Sequence, residues 1–208
     1  MSSINELTQF DGPSDAPLLI LAHGAGAGMA HEFFNQLVVL LSDELAILRF
    51  NFPYMQRILA ENKRRVPDRL PTLIAAYQAI IPSWPAPVFI GGKSMGGRVA
   101  SHVALTRQDI AGVVALGFPF HPPGKPERSK GEHLQQLTQP LLVLQGERDP
   151  FGCLDEQSQL QLPDTARLVW VKDGDHSFKP RSKSGVTLAH NMQLAADQIK
   201  DFVQCYTP

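Results

Sequence analysis

A serine flanked by glycines restricts the fold of this chain more than any other feature. Residues 92–96 read Gly-Lys-Ser-Met-Gly, with an apolar run at 88–90 before them and a helix-like segment at 97–104 after them. A strand that turns sharply into a helix strains the central residue, and only small neighbours leave room for the turn. The turn also exposes the serine hydroxyl near the helix N-terminus. We therefore predict that Ser94 is a nucleophile.

Two later loops supply the partners that such a serine needs. A nucleophilic serine requires a base, and a third group must orient that base. Asp149 follows an apolar strand predicted at 141–145, and His176 follows a strand predicted at 167–171. The carboxyl ends of parallel strands meet at one edge of the sheet, where active sites form. We predict Asp149 as the acid and His176 as the base, with Glu147 as the alternative acid.

The other six histidines are weaker candidates for the base. His102 lies inside the predicted helix behind the serine, and His190 lies in the predicted last helix. His133 precedes Asp149, which breaks the order serine, acid, histidine. His121 follows an apolar strand in a proline-rich loop, and we expect it to line the pocket. The remaining two are His23 and His31.

A glycine-rich loop follows the first strong strand, predicted at 18–22. It begins at His23 and alternates glycine with alanine over residues 24–28. Small residues let backbone amides approach a substrate carbonyl, and we expect the amides of Met95 and Ala25 to form an oxyanion hole. A phosphate site is the alternative. The loop lacks the G-x-x-x-x-G-K-[ST] pattern, and G-x-G-x-x-G would require glycine in place of Met29.

Strand and helix patterns alternate along the whole chain. About six strong strands are predicted, at 18–22, 46–50, 88–90, 112–116, 141–145 and 167–171. Helical spacing is found at 32–41, 70–81, 97–104 and 186–204, with short helices at 130–137 and 154–160. This alternation predicts an α/β fold, a mostly parallel sheet with helices on both faces. We expect residues 1–208 to form a single domain.

Together these motifs resemble a small α/β-hydrolase. The resemblance rests on residues 23–26, 92–98, 118–124, Asp149 and 175–178, and extends from about Pro17 to Phe202. It is strongest to the dienelactone-hydrolase-like group and to the predicted hydrolases in it that include an animal chromatin-complex subunit. It implies Ser94, Asp149 and His176 as the triad, with Met95 and Ala25 as oxyanion donors. Dienelactone hydrolases proper have a cysteine where this chain has Ser94.

Two segments of the chain are shorter than in larger proteins of this fold. Only residues 1–16 precede the first strong strand, so we expect the antiparallel hairpin that usually opens this fold to be missing or shrunken. Larger relatives insert a lid where this chain has residues 117–140, which are too few for a sizeable helical lid. A shallow, open pocket favours small substrates over long-chain lipids.

Basic residues are concentrated in the loops around the predicted site. Nine of the 19 lie there: Lys93, Arg98, Lys179, Arg181, Lys183, Arg57, Lys63, Arg64 and Arg65. They are either ordinary solvated loop charges or a positive rim that attracts an anionic substrate. The candidate substrate-binding residues are His23, Lys93, Arg98, His121 and Arg181.

Composition narrows the function classes. A chain of 208 residues with 43% hydrophobic content forms a full core, and a net charge of −1 gives no general attraction to nucleic acid. The chain has only two cysteines, without metal spacing, and no signal-peptide pattern, which favours a cytoplasmic protein. It has no apolar run of roughly 18 residues, so we expect no membrane span. We expect no metal or cofactor, and a monomer or small homo-oligomer.

The predicted function is hydrolysis of a small carboxylic ester or thioester by a Ser-His-Asp mechanism. A peptidase or acyltransferase would use the same three residues, because the catalytic parts are shared among these activities. The alternative from another class is a non-catalytic interaction protein that retains the fold.

Overall fold

The computed structural model describes residues 7–207, and its centre is a sheet. Within these residues the sheet has seven strands in the order β1-β3-β2-β4-β5-β6-β7. They are β1 (Thr8–Asp11), β2 (Leu18–Ala22), β3 (Ala46–Phe50), β4 (Val88–Lys93), β5 (Gly112–Leu116), β6 (Leu141–Gly146) and β7 (Ala166–Val171). β1 pairs antiparallel with β3, and all other neighbours are parallel. The predicted α/β fold is confirmed.

Helices cover both faces of the sheet. They are α1 (Glu32–Leu41), α2 (Pro53–Glu61), α3 (Leu70–Ile80), α4 (Met95–Ala104) and α5 (Leu188–Cys205). One apolar cluster packs α1 and α5 against one face, and a second packs α2, α3 and α4 against the other. Strands β2, β5 and β6 are buried along their whole length, which explains their continuous apolar runs. No helix in the part of the chain that the structure describes is long and apolar enough to span a membrane.

The antiparallel opening of the fold is reduced to one short strand in residues 7–207. β1 adds to the six predicted strands, and its pattern is not apolar because it lies half-exposed at the sheet edge. Arg49 of β3, which is buried, forms an ion pair with Asp11 at 2.9 Å and ties this edge to the core. Residues 1–6, which carry the expectation that there is no signal peptide, and residue 208 lie outside the described residues.

α2 is the second element that the sequence pattern did not predict. Pro53 occupies its first turn, and it ends before Asn62, which adopts a left-handed conformation with φ of 51°. Only Tyr54 and Met55 of this helix are buried, so its apolar stripe is too narrow to indicate a helix. Arg57 therefore lies on a helix, not in the loop predicted for it.

The segment between β5 and β6 contains no lid. Its regular structure is a short 3-10 helix at Glu132–Gln136, inside the helix predicted at 130–137. A second 3-10 helix lies between β6 and β7, at Leu154–Gln159, and corresponds to the short helix predicted at 154–160. The carboxyl edge of the sheet is therefore open above β4, β6 and β7.

Candidate active site

Ser94 lies in a strained turn between β4 and α4. Its backbone has φ of 52° and ψ of −116°, a region that non-glycine residues rarely adopt and that costs of order 1–3 kcal/mol. The turn is held by a hydrogen bond of 2.9 Å from the Ser94 amide to the carbonyl of Leu116 on β5. The strained strand–helix turn expected from the glycine pattern is thus observed.

Close backbone approach requires the two glycines of this turn. A Cβ at Gly92 would lie 2.3 Å from the carbonyl oxygen of Ala22, and one at Gly96 would lie 2.1 Å from the same atom. Both distances are far inside van der Waals contact. β2 therefore packs against the turn only because these positions lack side chains.

Asp149 and His176 form a hydrogen-bonded pair beyond the ends of β6 and β7. The Asp149 Oδ2 to His176 Nδ1 distance is 2.7 Å, and the carboxylate is fully buried. Oδ2 also accepts a bond from Gln145 Nε2 at 3.0 Å, and Oδ1 accepts one from the Phe151 amide at 2.9 Å. The carboxylate is therefore fixed from both sides and directed at the imidazole.

Glu147 is occupied elsewhere. Its Oε2 accepts a hydrogen bond of 2.6 Å from the Asp173 amide, at the turn that follows β7. The two acids of this loop thus have different partners. Asp149 contacts the imidazole of His176, whereas Glu147 fixes a backbone turn.

Ser94 and His176 line the same cleft, whose volume is about 400 Å³. The other lining residues are Gly24, Ala25, Gly26, Ala27, Gly28, His31, Phe33, Phe34, Lys93, Phe151 and Ser177. Among the described residues, no hydrogen bond joins Ser94 Oγ to the imidazole. Nucleophile–base contacts are commonly long before substrate binds. A larger groove of about 520 Å³, between α1 and α5, contains neither Ser94 nor His176.

The glycine-rich loop forms the wall of the cleft facing Ser94. The Tyr54 hydroxyl lies 3.3 Å from the carbonyl oxygen of Gly24 and 3.0 Å from that of Ala25, which fixes these carbonyls on the α2 side. Met95 is the first residue of α4, where a backbone amide has no acceptor within the helix. Amides of the loop and of Met95 are thus the donors available next to Ser94.

The same fold is found in known hydrolases. The family described as "Alpha/beta hydrolase domain" matches residues 15–204. The chain belongs to this family. The solved structures that resemble this hydrolase include dienelactone hydrolase from Anabaena variabilis, with 20% identity, a TM-score of 0.70, and coverage of 99% of this chain and 95% of that one.

Two esterase structures are also similar. Est1E from Butyrivibrio proteoclasticus is 14% identical, with a TM-score of 0.67 and coverage of 97% of both chains. The esterase domain of a Rhodothermus marinus protein is 15% identical, with a TM-score of 0.68 and coverage of 96% of this chain and 92% of that one. At these identities the likeness shows the fold.

His23 does not contact the cleft of this hydrolase. The side chain is fully buried, and its Nε2 accepts a hydrogen bond of 3.0 Å from the Phe52 amide. Burial lowers the pKa of His23 to about 4, so the imidazole is neutral and suited to accept this bond. The expectation that His23 binds substrate is corrected: it ties the glycine-rich loop to the segment that leads into α2.

His121 also lies outside the cleft, contrary to the expectation that it lines the pocket. Both of its ring nitrogens are occupied, one 2.9 Å from the carbonyl oxygen of Pro122 and the other 3.0 Å from Glu156. Glu156 belongs to the 3-10 helix at Leu154–Gln159, which draws the imidazole away from Ser94. These contacts stabilise the loop after β5.

The basic rim is partly neutralised. Lys93 lines the cleft, whereas Arg98 donates to the carbonyl of Lys130 at 3.3 Å and does not. Arg181 pairs with Asp173, and this hydrogen bond lowers the pKa of the Asp173 carboxyl. Two further rim residues also pair with carboxylates: Arg57 with Asp68, and Arg65 with Glu61. Neither Arg98 nor Arg181 lines the cleft, contrary to the expectation that both lie at the substrate site.

The fold also brings in residues that sequence reasoning missed. Gln145 and Tyr54 contact no reacting atom, but they orient Asp149 and the glycine-rich loop. A polar residue at the end of the apolar run 141–145 is the signal that would have indicated Gln145. No three His, Cys, Asp or Glu side chains in residues 7–207 are grouped as metal ligands.

Proposed function

We propose that this α/β-hydrolase cleaves small carboxylic esters or thioesters through an acyl-enzyme at Ser94. The observation that carries the proposal is the hydrogen bond of 2.7 Å between the buried Asp149 carboxylate and His176, which lines the cleft that also contains a strained serine. Strain at one residue and a fixed acid–base pair beside it are costly features, and they are expected where they serve catalysis.

The first half of the proposed reaction acylates the serine. His176 Nε2 takes the proton of Ser94 Oγ while Oγ bonds to the substrate carbonyl carbon. Asp149 holds the tautomer that carries its proton on Nδ1 and stabilises the imidazolium that forms. The amides of Met95 and Ala25 donate hydrogen bonds to the oxyanion. Collapse of this intermediate breaks the bond to the alcohol or thiol, which leaves with the proton from His176.

The second half releases the acid. Water loses a proton to His176 Nε2 as its oxygen attacks the acyl carbon, and the tetrahedral intermediate forms in the same oxyanion site. The intermediate then expels Ser94 Oγ, which regains its proton from His176. The product is a carboxylic acid, and the enzyme returns to its starting state.

The width of the cleft sets the expected acyl preference. Three phenylalanines line a cleft of about 400 Å³, and no lid extends the apolar wall within residues 7–207. Each additional methylene gains about 0.8 kcal/mol only where protein buries it. The ratio kcat/KM for p-nitrophenyl esters should therefore fall or level off as the acyl chain lengthens. A ratio still rising beyond about ten acyl carbons, or activation at a lipid interface, would contradict an open cleft.

We further propose that the substrate is anionic, and the dependence of kcat/KM on ionic strength tests this. Three of the nine rim residues pair with carboxylates. Lys93 and Arg98 donate to backbone carbonyls, and the other four have no carboxylate partner among the described residues: Lys63, Arg64, Lys179 and Lys183. If their charge steers substrate, kcat/KM for a negatively charged ester should fall steeply with ionic strength. A neutral ester of matched size should respond little. Lys183→Glu should reproduce the selective loss, and equal salt sensitivity of both esters would identify the rim as ordinary solvated charge.

A fluorophosphonate probe separates the enzyme from the alternatives. Labelling of the wild type that disappears in Ser94→Ala supports a serine enzyme, and no labelling of the wild type supports the interaction protein that the chromatin-subunit resemblance suggests. Turnover of esters rather than peptides, with water rather than an added alcohol as acceptor, distinguishes hydrolysis from the peptidase and acyltransferase alternatives.

Cys153 and Cys205 are free thiols, and we propose a reducing, cytoplasmic location.

A further inference from the structure

Lys93 is a buried cation that the proposed reaction does not use. It is the last residue of β4 and directly precedes Ser94, yet its side chain is only 8% exposed. Its Nζ donates a hydrogen bond of 2.5 Å to the carbonyl oxygen of His176 and lies 5.5 Å from the centre of the Phe33 ring. Burial of an ammonium is expensive unless the charge is hydrogen-bonded or paired. This position therefore calls for a functional explanation.

The contact joins the two halves of the candidate active site. Asp149 fixes the His176 ring through Nδ1, and the Phe151 ring packs against it with 4.4 Å between the ring centres. The placement of the ring also requires a second kind of restraint, on the main chain that carries it. Lys93 supplies this second restraint across 83 residues of sequence. Because it neighbours Ser94, the restraint relates the base directly to the nucleophile.

We propose that Lys93 is a positioning residue that holds the main chain of His176 in register with Ser94. This inference rests on the proposed function, since it assigns a role relative to that nucleophile and base. A charge-assisted hydrogen bond is about twice as strong as a neutral one, so the restraint depends on the ammonium form. Placement errors of about 1 Å at reacting atoms are enough to cost about a hundredfold in rate.

The surroundings of Lys93 determine when that charge is present. The ionisable groups near it are Asp149 after β6, Asp175 and His176 after β7, and His31 at the start of α1. Burial lowers the pKa of Lys93 to about 8, and the carboxylates of Asp149 and Asp175 oppose that shift. The ammonium therefore predominates below about pH 8 and is lost above it. Activity should decline on the alkaline side with an apparent pKa close to this value.

The test compares three variants on a neutral short-chain ester across the pH range in which Lys93 titrates. Lys93→Met keeps the bulk of the side chain and removes both charge and donor, so kcat should fall about ten- to a hundredfold with little change in KM. The alkaline limb should disappear with it. Lys93→Gln keeps a hydrogen-bond donor without charge, so its kcat should lie between those of the wild type and Lys93→Met. Its pH profile should also lack the alkaline limb. Lys93→Arg stays charged at every pH tested and should retain more activity on a flat alkaline side.

Lys125→Met is the matched control, because Lys125 is exposed on the loop after β5 and should keep the wild-type profile. Thermal unfolding of each variant separates a loss of fold from a loss of alignment. If the substitutions unfold the protein, the pH dependence of fluorophosphonate labelling in the wild type still decides, since a rate without an alkaline limb near pH 8 overturns the proposal.

Two results on folded variants would overturn it. The first is a Lys93→Met enzyme with wild-type kcat and an unchanged alkaline limb. The second is seen when an anionic ester of matched size is assayed beside the neutral one: a loss confined to the anionic ester would make Lys93 a substrate contact. Failure of the proposed function itself looks different, because then neither the wild type nor Ser94→Ala would be labelled. Labelling that depends on Ser94 but not on the Lys93 charge would reject only the positioning role.

Discussion

Replacing Ser94 by alanine should lower kcat for a short-chain ester by about a millionfold and abolish fluorophosphonate labelling. Without Oγ there is no atom to form the acyl-enzyme. His176→Ala should cost about as much, because an alcohol without a base is not nucleophilic at neutral pH. The double variant should be no worse than either single one, since the groups act as a unit.

Ser177→Ala is the matched control for this experiment. Its side chain lines the same cleft and adjoins His176, but no hydrogen bond of its hydroxyl is found among the described residues. Activity within a few-fold of wild type is expected. A Ser94→Ala enzyme with more than about a tenth of wild-type turnover would remove the nucleophile from the proposal.

Most of the fold could be predicted because buried strands carry an unmistakable pattern. β2 and β5 are apolar at every position on both faces, β6 is apolar over its first four residues, and turn residues bound each of them. β1 was not predicted, because an edge strand of four residues, half of it exposed, has no such pattern. α2 was not predicted, because most of its surface faces solvent and its apolar residues therefore show only a weak helical periodicity.

The candidate site could be predicted as far as the backbone determines it. Glycine spacing and the position of each loop after a strand end were sufficient to choose Ser94, Asp149 and His176, which do lie at one edge of the sheet. The directions of the side chains could not be predicted from the sequence. His23 turns beneath the loop to accept the Phe52 amide, and His121 turns to Glu156. Contacts between residues far apart in sequence, such as Lys93 with His176, leave no local signal at all.

Asparagine in place of Asp149 should lower kcat about ten-thousandfold, and Glu147→Gln should leave it within a few-fold of wild type. The carboxylate accepts on both oxygens, from the Phe151 amide on Oδ1 and from His176 and Gln145 on Oδ2. An amide has one oxygen, so either orientation of asparagine sets its NH₂ against another donor. With the NH₂ on the Oδ2 side, imidazole is driven to carry its proton on Nε2 and cannot accept the proton of Ser94.

The same conflict predicts a loss of stability that separates the two acids. An unsatisfied donor at a fully buried position costs about 1–3 kcal/mol, so Asp149→Asn should also unfold at a lower temperature. Glu147→Gln retains a carbonyl oxygen to accept the Asp173 amide and should unfold close to wild type. Steady-state kinetics with a short-chain ester and thermal unfolding measure both effects. If Glu147→Gln lost as much activity as Asp149→Asn, the acid that orients His176 would have to be Glu147, despite the hydrogen bond that connects His176 to Asp149.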